Sequence, residues 1–281
     1  MDLGLTEIQL MLKNSAREFL SQECPLTFVR EMENNSQGYT EEFWQQLASL
    51  GWTGLAFPEV YGGTGGNFTD LAVLLEEMGR TLSPSPFFST VVLSGLTILE
   101  AGSASQKQDF LPKICAGSTK IAFALTEATA TYEPWGVETI SELANGNYQL
   151  SGTKLFVQDA HTADWLLVAA KTDLTAPPER GITVFLIPSK QENITINLLN
   201  TIALDNQCEI VFDNLQVSSD CIVGSINEGW PIIESALQRA IAGQCIEMLG
   251  GADAVLDMTV EYAKQRTQFG RPVGSFQAVQ H

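Results

Sequence analysis

The spacing of apolar and polar residues along this chain changes period twice, and each change marks a change of architecture. Up to about residue 118 the spacing is helical. Thr6, with Gln9 three residues on, forms a capping-box start, and Ile8, Met11, Leu12, Ala16, Phe19 and Leu20 then share one helical face until Pro25. A second helix is predicted after Thr40, with Phe43, Trp44, Leu47 and Leu50 inward and Gly51 just past its end. A third carries Leu71, Leu74, Leu75 and Met78 and ends near Gly79; two more cover residues 90–101 and 105–116, the last disturbed by Pro112.

From about Ile121, short strand-like runs rich in Val, Ile, Phe and Trp take over, at 121–125, 148–150, 154–157, 165–170, 182–188, 194–199 and 209–212. About seven short strands at this spacing predict a small β-barrel or sandwich. Asn145-Gly146 is a hairpin signal, and the segment 176–181 with Pro177-Pro178 reads as a loop. After Glu228 the helical period returns and runs from Trp230 to Arg266 as one long helix with Gly243, Gly250 and Gly251 inside it. Each interior glycine costs ~1 kcal/mol against alanine, a loss that close packing of another backbone offsets. A last helix-like stretch covers 276–281. The expected fold class is α+β and multidomain: an all-α N-terminal bundle over 1–118, a middle β-barrel or sandwich domain over 119–227, and the truncated start of a C-terminal helical bundle over 228–281, since a four-helix bundle would need on the order of 80 more residues.

Charge narrows the partners. With 15 Lys+Arg against 33 Asp+Glu the formal net charge is -18, which argues against a nucleic-acid surface or a polybasic membrane anchor. No apolar run approaches the ~20 residues of a membrane span, and the first residues lack a basic-then-apolar signal, so a cytoplasmic protein is expected. Cys24, Cys115, Cys208, Cys221 and Cys245 form no Cys-x-x-Cys pair and read as buried thiols. The only histidines, His161 and His281, have no second ligand at helical spacing, so neither a metal site nor a Ser-His-Asp triad is expected. The glycine-rich run from Pro58 to Gly66 lacks a following Lys-Ser/Thr and reads as a structural turn rather than a phosphate loop. The few cations are unevenly placed. Between Gln191 and Ala263 only Arg239 is basic, whereas Lys264, Arg266 and Arg271 close the sequence with no acid among them. They fit either the C-terminal end of a helix or a small anion site.

Four motifs in fixed order carry a resemblance that covers essentially the whole chain: Pro58-Glu59-Val60-Tyr61-Gly62-Gly63; Gln106-Lys107 with Leu111-Pro112 leading to Ala124-Leu125-Thr126-Glu127; Gly152-Thr153-Lys154 with Ala163-Asp164; and Arg266-Thr267-Gln268-Phe269-Gly270. In this order and spacing, and with the helical-β-helical plan, the chain resembles the acyl-CoA dehydrogenase flavoprotein family. The resemblance implies non-covalent FAD and α,β-dehydrogenation of an acyl-CoA thioester to the trans-2-enoyl-CoA, in which a carboxylate removes an α-proton as hydride passes to flavin N5. It also implies a place in fatty acid and lipid metabolism, reoxidation by an electron-transfer flavoprotein, and homo- or hetero-oligomers that share FAD sites. Carried over residue by residue, the family's cofactor contacts fall on Phe123, Leu125, Thr126, Thr131, Phe156, Val157 and Gln158, and on Arg266, Phe269 and Gln277 towards a neighbouring subunit's FAD; its substrate contacts fall on Tyr132 and Arg239.

Several departures bear on activity. After Thr126-Glu127 the family's Pro-Gly-Ala-Gly-Ser-Asp becomes Ala128-Thr129-Ala130-Thr131-Tyr132-Glu133, so Tyr132 stands where a small serine touches flavin and CoA. Its Trp-Ile-Thr becomes Phe156-Val157-Gln158, which keeps an aromatic ring and loses a hydroxyl. Where some relatives place the base just before the arginine matched by Arg239, this chain has Gln238, and Glu234 one turn earlier is a weak substitute. No catalytic residue is assigned; the base is expected outside these 281 residues. The alternative is a non-catalytic or degenerate partner subunit of a heteromeric dehydrogenase. The stretch Gly79-Arg80-Thr81-Leu82-Ser83-Pro84-Ser85-Pro86 resembles branches that act on bulky or branched acyl groups.

Overall fold

The computed structural model describes residues 4–144 and 146–281. They divide into two compact units: one takes the described part of Met1–Val29 with Ala72–Ser83 and Ala242–His281, the other Arg30–Leu71 and Pro84–Ile241. Helices come first: α1 (Glu7–Glu23), α2 (Leu26–Met32), α3 (Glu41–Ser49), α4 (Phe68–Thr81), a π-helical turn Phe88–Gly95 running into α5 (Leu96–Ala101), and α6 (Ala104–Cys115). Eight strands follow: β1 (Ile121–Ala124), β2 (Ile140–Ala144), β3 (Asn147–Gln158), β4 (Trp165–Lys171), β5 (Ile182–Pro188), β6 (Ile194–Leu198), β7 (Gln207–Val217) and β8 (Ile222–Val223). The long helix α7 (Gly229–Gln265), a short hairpin of β9 (Thr267–Gln268) and β10 (Arg271–Pro272), and α8 (Gln277–Gln280) complete the chain.

The capping box of α1 is formed: Gln9 N donates to Thr6 Oγ1 and Thr6 N to Gln9 Oε1. Of its predicted inward face only Ala16 and Leu20 are buried, Leu12 and Phe19 are half-buried, and Ile8 and Met11 are exposed, because packing deepens along the helix. In α3, Phe43, Trp44 and Leu47 are buried as the pattern predicts, but Leu50 lies past the last turn and is exposed. Gly51 takes the left-handed conformation expected after a helix end. The glycine-rich run 58–66 is a turn whose amides are consumed internally, Gly63 N on Pro58 O, Thr64 N on Gly54 O and Gly66 N on Leu55 O. With Gly62 N on Glu59 O and Gly65 N on Phe57 O as well, each glycine amide of the run is engaged and none is turned to a phosphate. Cys24 and Cys208 are buried, Cys115 and Cys221 half-buried, and Cys245 is exposed on α7, contrary to the expectation of five buried thiols.

Gly79 does not end α4, which continues to Thr81. Its role is contact: a Cβ there would fall 2.1 Å from Glu247 O, and one on Gly250 would fall 1.9 Å from Glu76 O. Two helix backbones therefore touch through a glycine on each side, which is the close approach that the interior glycines of α7 predicted. Gly251 is different, since its Cβ would meet Gly79 O at 3.5 Å, an ordinary contact.

The strands form one sheet in the order β6-β7-β3-β2-β4-β5-β8, with β1 added parallel to β4. The predicted strands at 148–150 and 154–157 are a single strand, β3, whose register against β7 shifts between Leu150 and Gly152 and again between Lys154 and Val157. Sequence periodicity missed β2, since Ser141 and Glu142 interrupt its apolar pattern. Ala144 of β2 pairs with Asn147 of β3, and Gly146 between them has φ +86; the hairpin signal's other half, Asn145, lies outside the described residues. Inward side chains from β1, β3, β4, β5 and β7 meet in one cluster, against which Ile194 and Ile196 of β6 pack. The sheet thus wraps its own core. Among the described residues no helix is long and apolar enough to cross a membrane.

Replacing Gly250 by Ala should lower stability by about 1–3 kcal/mol, because overpacking against the Glu76 carbonyl outweighs the ~1 kcal/mol of helix propensity gained. Gly251→Ala should instead be neutral or stabilising. Urea unfolding followed by circular dichroism checks both, and equal effects at the two glycines would contradict the contact.

Candidate functional site

A buried ion pair organises the place where β3 crosses the segment that follows β1. The segment after β1 runs Leu125-Thr126-Glu127, and β3 crosses it with Lys154-Leu155. Lys154 Nζ donates to Leu125 O at 3.1 Å and to Glu127 Oε1 at 2.6 Å, while Leu155 N donates to Thr126 O at 2.8 Å. Both charged side chains are shut off from water, Lys154 completely. Desolvation lowers the Lys154 pKa to about 8, with Glu127 opposing that fall. The carboxylate does more than neutralise a charge. Glu138 N donates to Glu127 Oε2 at 3.0 Å, and Thr139 N reaches both oxygens at 3.0 Å. One side chain therefore ties the start of the 128–137 loop to its end.

That loop carries Thr131 and Tyr132. Thr131 Oγ1 accepts from Glu133 N at 3.3 Å, its methyl lies where a Cβ on Gly136 would sit, and Tyr132 is exposed with Trp135. Phe123 and Leu125 are buried at the end of β1, and Thr126 is half-buried beside them. On β3, the second register shift throws Phe156 into a left-handed conformation, φ +56, with half of its surface exposed, while Val157 is buried and Gln158 exposed. A left-handed backbone costs a non-glycine residue roughly 1–2 kcal/mol, so the exposed ring is held there against local preference. Asp159 follows at φ +58 and is buried. Ser89 donates to its Oδ2 at 2.6 Å, yet desolvation dominates and pushes its pKa up to about 7.

Arg239 of α7 donates through Nη1 to the Glu100 carboxylate and to Ser235 Oγ, while its Nε and Nη2 are buried with no partner among the described residues. Gln238 and Glu234 are exposed. The predicted residues of this unit fall into two places: Phe123, Leu125, Thr126 and Phe156 to Gln158 around the strand crossing, with Thr131 and Tyr132 on the tied loop, and Arg239 on Glu100. In the other unit, Phe269 at φ +53 and Gly270 at φ +77 form the two-residue turn of the β9–β10 hairpin. Phe269 is 93% exposed, and Arg266 and Gln277 are exposed too. The Phe269 ring stands edge-on to Phe276, which Arg271 covers at 4.0 Å. In the sequence Glu127 and Lys154 stand only as motif letters, and neither their pairing nor Asp159 is visible there; a lone lysine inside a strand pattern is the available signal.

Comparison with known proteins accounts for the whole chain. Models described as the acyl-CoA dehydrogenase N-terminal, middle and C-terminal domains match residues 6–118, 122–215 and 227–281. A short-chain-specific acyl-CoA dehydrogenase of Megasphaera elsdenii is 32% identical over 99% of this chain and 74% of its own length. A 3-(aryl)acrylate reductase of Clostridium sporogenes is 31% identical over 98% of this chain and 74% of its own. Among solved structures, the ChsE4-ChsE5 complex from Mycobacterium tuberculosis superposes with a TM-score of 0.89 at 26% identity, over 100% of this chain and 73% of the other.

Because the folded-state pKa of Asp159 lies near 7 and that of an unfolded aspartate near 4, the fold holds a proton that the unfolded chain releases between them. Stability from this group is complete below about pH 4 and is lost as pH rises through about 7. Asp159→Asn keeps an acceptor for Ser89 and suits the left-handed backbone. It should be more stable than the parent at pH 8 by at least ~1 kcal/mol, with the difference vanishing towards pH 4. Urea midpoints across that range would detect this; a constant difference would exclude the titration.

Proposed function

This chain belongs to the acyl-CoA dehydrogenase family, and from that premise we propose that it is an FAD-dependent dehydrogenase forming a trans-2-enoyl-CoA from an acyl-CoA thioester, its proton acceptor supplied from outside these 281 residues. The observation that carries the reading is the strain at two aromatic residues. Phe156 and Phe269, which the family resemblance assigns to the cofactor, both hold exposed rings on left-handed backbone. Strain of this kind persists where a function uses it. The donor set also fits FAD: a flat ring face from Phe156, the Thr126 hydroxyl and neighbouring amides for a heterocycle edge, and the exposed guanidinium of Arg266, which makes no ion pair among the described residues, for a pyrophosphate. When bound, FAD supplies the hydride acceptor for the reaction.

The chain's own residues would bind and orient. Phe156 would cover a ring face, Val157 and Leu125 would back it, Gln158 and Thr131 would offer side-chain hydrogen bonds, and Phe269 with Gln277 would flank an adenine held by Arg266 on a neighbouring subunit. Arg239, with two unsatisfied nitrogens, would meet an anionic group of CoA, and exposed Tyr132 would lie against the substrate. A relative named as an acrylate reductase supports the reaction class, since reduction of an acrylate double bond is the reverse interconversion. Electron-transfer flavoprotein as electron acceptor, an oligomer that shares FAD sites, a role in lipid metabolism and a cytoplasmic location belong to the same proposal.

A second reading is favoured by Gln238 together with the exposure of Arg266 and Phe269: a non-catalytic subunit that lends these residues to a complete partner. The neighbour solved as a complex of two named polypeptides supports it. Purified protein, alone or with a completing polypeptide, should absorb as a flavoprotein and gain several degrees of melting temperature with FAD. Arg266→Ala should abolish that gain. Activity that survives Arg239→Ala but falls with Arg266→Ala favours the partner subunit, and absence of any flavin from every preparation contradicts both readings.

A further inference from the structure

The unit that contains α1, the end of α4 and the second half of α7 holds a cavity of about 240 Å³ lined by Met78, Leu82, Ser83, Gln244, Glu247 and Met248. It opens to solvent, with Leu82 and Met248 largely exposed at its walls, and its volume has room for a ligand of roughly the size of benzene or somewhat larger. Its shape follows from two devices already described. The glycine contact brings the backbones of α4 and α7 together, which sets Glu247 against the end of α4. That end is a tight reversal: Ser83 N donates to Met78 O and Leu82 N to Gly79 O, with Leu82 forced to φ +53. Leucine at this position is strained where glycine would be free. The reversal directs Leu82 and Ser83 to the cavity wall.

Its polar groups are idle in the folded chain. Ser83 Oγ is buried with no partner among the described residues, and a buried hydroxyl left unpaired is unfavourable. Among the described residues Glu247 accepts only a long bond from Gln244, 3.5 Å, and makes no ion pair. Among the described residues of this unit, Glu76 pairs with Lys13, Glu77 with Lys13 and Arg17, Arg80 with Asp253 and Asp257, and Glu261 with Lys264, so these cations are engaged elsewhere. With no cation facing it among the described residues, Glu247 feels burial alone, which raises its pKa to about 7. A carboxyl in that state is a hydrogen-bond donor at mildly acid pH. A hydroxyl with no acceptor among the described residues and a carboxyl beside it, set between thioether and leucine side chains, suit an acceptor on an apolar body.

We propose that this cavity is a binding site for a small apolar ligand bearing a carbonyl oxygen, which accepts hydrogen bonds from the Ser83 hydroxyl and the Glu247 carboxyl. It goes beyond the dehydrogenase reading and is tested by binding alone, so a protein without flavin could still satisfy it. Cyclohexanone is a suitable probe, with methylcyclohexane as its apolar match. In protein labelled with 13C at the methionine methyls, cyclohexanone at pH 6 should shift Met78 and Met248 saturably, and methylcyclohexane should bind at least tenfold more weakly. Ser83→Ala and Glu247→Ala should each weaken cyclohexanone about tenfold, while Glu247→Gln, which keeps a donor, should stay within about threefold of the parent. If a truncation to alanine fails to fold, Glu247→Gln and the probe pair still decide. Equal binding of the two probes, no saturable shift, or full affinity in folded Ser83→Ala would overturn the proposal.

Discussion

The buried pairing of Lys154 with Glu127 is the constraint on which the rest of the candidate site depends. An ion pair shut off from water contributes little net stability, because desolvation of both groups roughly cancels their attraction. Its value here is positional. Lys154 holds the segment after β1 by a backbone carbonyl and a carboxylate at once, and Glu127 in turn accepts amides from the far end of the 128–137 loop. Removing either partner would strand a charge in the interior and free both ends of that loop together. Thr126, Thr131, Tyr132 and Phe156 all sit on segments fixed by this one arrangement.

Strain accumulates next to it. Phe156 and Asp159 are left-handed within four residues, and Ala130 in the tied loop is as well. A rigid anchor is what allows such conformations to persist, since each would relax if its neighbours could move. The helical unit uses a different device, backbone against backbone through Gly79 and Gly250, and it too leaves a strained residue beside its contact, Leu82.

Much of the fold was legible in the sequence because it rests on periodicity. The capping box at Thr6, the inward face of α3 and the run of α7 follow from apolar spacing and cap chemistry. Losses came where tertiary contacts override that spacing. Gly79 looks like a stop and is a contact; β2 looks polar and is a paired strand; β3 looks like two strands and is one with two register shifts. The candidate site was legible as motif letters but not as geometry. Nothing in the spacing of Glu127 and Lys154 says that they meet, and nothing around Asp159 marks it as a buried acid, because both depend on which strands cross. Glu247 was invisible for the same reason: an acidic residue on a helix reads as solvated until the partner helix is known.

The Lys154–Glu127 pair would hold the proposed cofactor-binding surface in shape. The direct measurement is equilibrium titration of FAD, by quenching of its fluorescence, into the parent protein and into Glu127→Gln, with circular dichroism to verify that the variant is folded. The glutamine retains an acceptor for the loop amides but leaves Lys154 without its counter-charge. Saturable binding by the parent and at least tenfold weaker binding by the folded variant is the predicted result. Equal affinity in the two proteins would contradict it.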